Sequence, residues 1–212
     1  DEIYTSWLCN DPPERLRVGM ILGDLTHHAL GHFLNNLLPE LDHDSVEPIA
    51  YFTHAKTDDL TARIQKHCTT SSTLVGLNDA EAAKLIHDDG VHVLLDLTGH
   101  SHYNRLPVFA YKPAPIQASW LGYLASTGVS EMDYILGDPY VTPPQDSQHF
   151  SEKIWQLPES YCCFNTPEFD VAVNPLPALN ASHTTFGCFE SINHINNAVI
   201  GLWAQILNAV PY

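Results

Sequence analysis

Apolar runs and apolar stripes alternate along this chain, and their periods predict its elements. Residues 91–97 form a nearly unbroken apolar run, interrupted by His92 and Asp96, as a strand buried on both faces requires. Residues 17–22 (RVGMIL), 46–52 and 116–120 read as further strands. Between them, His32, Phe33, Leu34, Leu37 and Leu38 recur at helical spacing, with Pro39 as the stop. Leu60 and Ile64, four apart, give residues 58–67 an amphipathic helical face. Asn78 with Glu81 three residues on makes a capping box for a helix that runs to Gly90. Residues 106–111 predict a short helix stopped by Pro113 and Pro115.

The alternation β-α-β-α-β-α-β demands a largely parallel sheet with helices on both faces. The expected class is α/β and Rossmann-like, with its ligand edge at the carboxyl ends of the strands. After Asp133-Tyr134-Ile135 comes a long proline-rich loop, DPYVTPPQDSQHFSEK. Residues 153–157 and 161–164 predict short strands. Residues 167–182, with Pro175 and Pro177, read as a linker. A strand over 184–189 and a helix over 196–209 predict the start of a second α/β domain. The expected division is 1–14 as a connecting tail, 15–166 as the first domain, 167–183 as linker and 184–212 as a truncated second domain.

Charge narrows the partners. With 25 acidic against 9 basic residues the formal net charge is −16, which repels a phosphate backbone and argues against nucleic acid. The hydrophobic fraction of 44% supports a core, and no apolar run approaches membrane-span length. The five cysteines (Cys9, Cys68, Cys162, Cys163, Cys188) are irregularly spaced, as reduced thiols in a cytosol are. Cys162-Cys163 reads as a pair of buried strand residues. The chain opens on Asp1 without a basic and then apolar leader, and is read as a fragment of a longer protein.

Position on the fold sorts the candidate chemistry. His27 and His28 follow the first strand, and residues 98–102, in a polar mouth with Asn104 and Arg105, follow the strand over 91–97, so neighbouring parallel strands would bring both groups to one sheet edge. Asp89 and His92 flank the start of their strand and belong at the opposite edge. His28 and His32 are four apart, and His100-Ser101-His102 lies near Asp96, so a metal-dependent hydrolase using His100, His102 and Asp96 is one reading. The same residues without a metal would line a wet cleft. The glycines and small side chains of LGYLASTG (121–128) let a ligand approach the backbone closely. No phosphate loop, dinucleotide fingerprint or G-x-S-x-G occurs.

Four segments carry a resemblance: RVGMILGDLTHHALGHFL, NRLPVFAYKPAPIQASWLGYLASTGVSEMDYILGDPYVTPP, FSEKIWQLP and FGCFESINHINNAVIGLWAQILNAVP. Together they resemble the catalytic region of protein O-linked N-acetylglucosamine transferases of the SPINDLY type. The resemblance implies the first half of a GT-B glycosyltransferase, preceded in known members by helical (TPR) repeats. It implies metal-independent, inverting transfer of N-acetylglucosamine from UDP-N-acetylglucosamine to Ser or Thr of an acceptor protein or peptide, in the cytoplasm and with no cofactor beyond the donor. Plant SPINDLY proteins use a fucose donor. The resemblance maps the active-site histidine onto His28 and the donor cleft onto Thr98, Gly99, Gly122, Thr127, Gly128, Ser191 and His194. Thr127 and Gly128 would offer backbone N–H groups to the donor. His194 stands where family members carry a Lys that steadies the leaving diphosphate, Ser191 where animal members have Gln, and Thr73 where they have His. Those departures leave a third reading open, a catalytically dead binding module.

Overall fold

The computed structural model describes residues 3–23, 25, 29–164, 171–181 and 183–210, which fall into two compact units, 1–165 and 166–212. The first unit is built on seven parallel strands: β1 (Leu16–Leu22), β2 (Val46–Phe52), β3 (Thr70–Thr73), β4 (Val93–Asp96), β5 (Ile116–Ser119), β6 (Tyr134–Gly137) and β7 (Lys153–Gln156). They lie in the order β3-β2-β1-β4-β5-β6-β7. The parallel α/β class expected from the alternation is therefore the class observed. Strand β3 carries no apolar signal: TSST is a largely exposed edge strand, held by its register with β2, Ile49 opposite Thr70.

Alternation along the strands feeds two cores. Met20 and Leu22 of β1 and Ala50 and Phe52 of β2 meet helices α1 (Ala29–Leu37) and α2 (Asp59–Lys66) through Leu30, Leu34, Leu60 and Ile64. Ile21, Ile49 and Tyr51 point the other way, toward α3 (Asp79–Asp88) and α4 (Leu106–Phe109), through Ala82, Ala83, Ile86, Val108 and Phe109. Each fully buried large side chain contributes about 1.5–3 kcal/mol, so both faces are firmly clamped. Helix α2 is capped by Asp58, whose side chain accepts from Thr61 N at 2.8 Å. The Asn78–Glu81 capping box of α3 is formed in both directions. Pro39 turns the end of α1 into a 3-10 turn, Leu38–Glu40.

The amino edge of the sheet is closed by the first residues of the chain, which run across it as a strap. Tyr4 N donates to Tyr111 O and the Trp7 indole to Lys112 O, both at 2.9 Å. His87 Nε2 reaches Ser6 O and His92 Nε2 reaches Asn10 O, each at 3.0 Å. His92 Nδ1 accepts from Arg17 N at 3.0 Å, so the ring is neutral with its proton on Nε2. Asp89 accepts from the Tyr51 hydroxyl at 2.7 Å. Both residues therefore do structural work at the edge opposite the predicted cleft.

Two expected strands are absent. Over 161–164, Tyr161 N goes to the Asp138 carboxylate at 2.8 Å and Tyr161 O accepts the Trp120 indole at 3.0 Å, so the backbone bonds a loop cap rather than a ladder. Cys162 and Cys163 are accordingly half-buried loop residues and not buried strand positions. Residues 184–189 are unpaired because the described residues of the second unit hold no partner strand. That unit comprises α5 (Ala178–Ala181), a 3-10 turn (Ile192–His194) and α6 (Asn197–Ala209). The Asn196 side chain caps α6 by accepting from Ala198 N and Val199 N. None of the described side chains of this unit is buried. No helix among the described residues is long and apolar enough to cross a membrane.

Candidate functional site

Strands β1 and β4 are hydrogen-bonded neighbours, with Ile21 opposite Asp96, although β2 and β3 intervene in sequence. Strand order reverses there, and the loops after β1, β4 and β5 open on one edge, where ligands bind in such sheets. Glycines weld these loops together. A Cβ on Gly122 would lie 2.0 Å from Leu97 O, and one on Gly99 (φ +55°) would lie 2.2 Å from Tyr123 Cβ. A Cβ on Gly23 would stand 3.1 Å from the Thr98 side chain and 3.3 Å from His102 O.

Asp96 ends β4 completely buried. It accepts from Thr98 N at 3.1 Å, from Gly99 N at 3.0 Å and from Ser119 Oγ at 3.0 Å, tying the turn to β5. Burial pushes its carboxyl above the ordinary value, and those hydrogen bonds offset only part of the effect. Asp96 turns its oxygens inward to the turn, and although His100 is near enough to favour its charge, Asp96, His100 and His102 do not gather as a metal-ligand set, which goes against the hydrolase reading. Among the described residues, no three His, Cys, Asp or Glu side chains gather as metal ligands. Thr98 is also buried, yet its Oγ1 has no hydrogen-bond partner among the described residues. Such a hydroxyl is costly to leave unmet, and it lies directly beneath Gly23.

The rim is aromatic and imidazole-rich. Tyr103 holds φ +63°, a left-handed conformation that costs a non-glycine residue about 1–2 kcal/mol. Thr53 Oγ1 fastens its carbonyl at 2.7 Å, and the ring stacks on His54 at 4.1 Å and meets His102 edge-on at 4.1 Å. His100 meets Tyr123 at 5.4 Å. Arg105, expected in the polar mouth, instead binds Asp79 at 2.9 Å and the carbonyls of Leu74 and Leu77 at 3.1 and 3.2 Å. Its guanidinium is committed to holding the start of α3.

Farther along the glycine loop, Thr127 is buried while Gly128 (φ +70°) faces open space. Thr127 N donates to Glu152 Oε1 at 2.7 Å, and Gly128 N to Ser126 Oγ at 3.3 Å. The backbone N–H groups expected to meet a donor thus both bond within the protein in this structure. Glu152 was not legible as a site residue, since a Glu ahead of a short strand reads as surface. Burial works against its charge most strongly, but the combined hydrogen bonds of Thr127 and Ser126 win and hold its carboxyl below the ordinary value.

In the second unit, Ser191 Oγ accepts from Asn193 N at 3.4 Å, and His194 Nδ1 lies 2.9 Å from Glu190 Oε1. The Ser191 N–H and His194 together lower the Glu190 carboxyl. His28 lies outside the described residues, and His32, on α1, is exposed.

The model of glycosyl transferase family 41 matches residues 4–167. Among curated proteins, the chain is 32% identical over 214 residues to the probable UDP-N-acetylglucosamine–peptide N-acetylglucosaminyltransferase SPINDLY of Solanum lycopersicum, covering 99% of this chain and 23% of that protein. The SPINDLY protein of Arabidopsis thaliana is likewise 32% identical, over 98% of this chain and 23% of its own length. Among solved structures, a mutant O-GlcNAc transferase from Thermobaculum terrenum superposes with a TM-score of 0.85 at 33% identity, covering 95% of this chain and 38% of that one. The chain thus spans about a quarter of the length of these curated relatives.

Proposed function

The chain belongs to glycosyl transferase family 41, and from that premise we propose that it supplies the first Rossmann-like half of a protein O-glycosyltransferase. The longer protein moves N-acetylglucosamine from UDP-N-acetylglucosamine to Ser or Thr hydroxyls, with inversion and without a metal. It works in the cytoplasm. Five free cysteines accord with a reducing compartment.

The observation that carries this reading is the three-loop mouth at the β1–β4 reversal, where glycines bring backbone to backbone and the Thr98 hydroxyl has no partner among the described residues. Inverting transfer asks two things of such a mouth. The acceptor alcohol must lose its proton as it attacks the anomeric carbon, and the departing diphosphate needs hydrogen-bond donors for its growing charge. His28, which follows β1 in sequence, is the group we assign to the acceptor side. Thr98, Gly99 and Gly122 form the wall against which the sugar rests. In the second unit, Ser191 and His194 are the residues we assign to the nucleotide, His194 serving a diphosphate best when protonated.

The test is release of UDP by the full-length protein given UDP-N-acetylglucosamine and a Ser/Thr peptide, with GDP-fucose in parallel. His28→Ala is expected to lower turnover by at least about 100-fold. An unchanged rate would remove His28 from the reaction. Activity with GDP-fucose alone would replace the donor, and UDP binding without turnover would mark a binding module.

A further inference from the structure

The glycine loop is exposed from Gly122 to Ala125 and again at Gly128, so apolar packing does not set its shape. Between the buried Leu121 and the half-buried Val129, Thr127 alone is buried, and its partner there is a carboxylate. Glu152, 5% exposed, takes the Thr127 amide at 2.7 Å and the Thr127 hydroxyl through one oxygen, and the Ser126 hydroxyl at 2.9 Å through the other. Ser126 Oγ in turn lies 2.9 Å from Ser151 Oγ and receives Ser151 N at 3.2 Å and Gly128 N at 3.3 Å. Val129 N closes the set on Thr127 Oγ1 at 3.2 Å. Among the described residues no lysine or arginine pairs with Glu152, so its charge is held by these dipoles. Such charge-assisted bonds are shorter and stronger than neutral ones.

We propose that Glu152 is a positioning residue for sugar-nucleotide binding, acting through Ser126 and Thr127 to hold the loop of residues 122–128 in the shape the donor meets. This rests on the functional reading above. The loop's near end is pinned to the mouth, where Gly122 lies against Leu97 O and Tyr123 against Gly99. Its far end is pinned 25 residues away in sequence, at the start of β7. Releasing the far end frees the span that forms one wall of the mouth. Glutamine keeps the acceptor for Thr127, but its amide must donate to a Ser126 oxygen already receiving two N–H groups, so it restores the clamp only partly.

The experiment compares wild type, Glu152→Ala, Glu152→Gln and Ser126→Ala in the full-length protein by two measurements. In hydrogen exchange, the amides of residues 122–129 are expected to exchange faster in Glu152→Ala while β1 and β4 stay protected. In UDP-release kinetics, Glu152→Ala is expected to raise the donor KM about tenfold or more with kcat within about threefold, and Glu152→Gln to recover most of the loss. If Glu152→Ala does not fold, Ser126→Ala must show the same KM split at a smaller size. Faster exchange with an unchanged donor KM, or unchanged exchange, overturns the proposal. A wild-type protein that turns over no UDP-sugar defeats the functional reading instead. Donor affinity measured by calorimetry, together with the exchange pattern, then decides the role of Glu152 by itself.

Discussion

Asp96 shows how a single residue can be spent on architecture at the very place where chemistry was expected. Below its ordinary value of 3.8 the folded and unfolded forms are both protonated, and the fold keeps its full stability. As pH rises, the unfolded chain gives up the proton first because burial raises the folded value, so stability is lost up to that raised value. Asp96→Asn cannot ionise, and its urea midpoint relative to wild type is expected to climb as pH rises from acid toward neutral. A constant difference across that range would show that Asp96 does not titrate with folding. Gly99 entered by name only through the family resemblance, whereas the close backbone approach at Gly122 was legible from sequence because little else fits there. The engagement of the Thr127 amide was not, since its partner lies 25 residues on and meets it only in the folded chain. Arg105 was misplaced for a related reason: a charged residue in a polar segment reads as cleft lining until its carbonyl partners at Leu74 and Leu77 are visible.

Among the elements, those written as local chemistry were read correctly. The α3 capping box is a four-residue statement, Asn78 to Glu81, and both of its bonds form at 2.9 Å. Asn78→Ala is expected to cost about 1 kcal/mol in chemical denaturation, while Asn78→Asp, which keeps an accepting cap side chain, costs less. Equal losses would show that the cap is idle. Helix α6 was also legible, since Asn196 caps it and its residues propagate well, even though nothing in it is buried. Strand β3 was invisible because its four residues are polar and owe their conformation to the edge of β2. The error over 184–189 is the converse. An apolar, extended stretch becomes a strand only when another strand satisfies its backbone, and none among the described residues does so.

For the molecule as a whole, one direction of seven strands divides labour between two edges. The carboxyl edge gathers the loops assigned to chemistry, and the amino edge is closed by the strap of the first residues. That division was predictable from β-α alternation alone, since parallel strands send all their loops of one kind to one side. The strap itself was not, because its anchors are backbone carbonyls, which sequence does not distinguish. Its contacts reach across 105 residues from Trp7 to Lys112 and across 82 from Asn10 to His92. Contacts of such range require the largest loops to be closed, and they form after the local ones during folding. The strap should therefore be a latch that closes late and opens first. Trp7→Ala is expected to destabilise by about 1 kcal/mol, through loss of the indole hydrogen bond. Nearly all of that loss should appear as roughly fivefold faster unfolding, with the folding rate almost unchanged. Slower folding instead would place the strap in the nucleus. Otherwise, how long the native state lasts is governed from the edge of the sheet farthest from its chemistry.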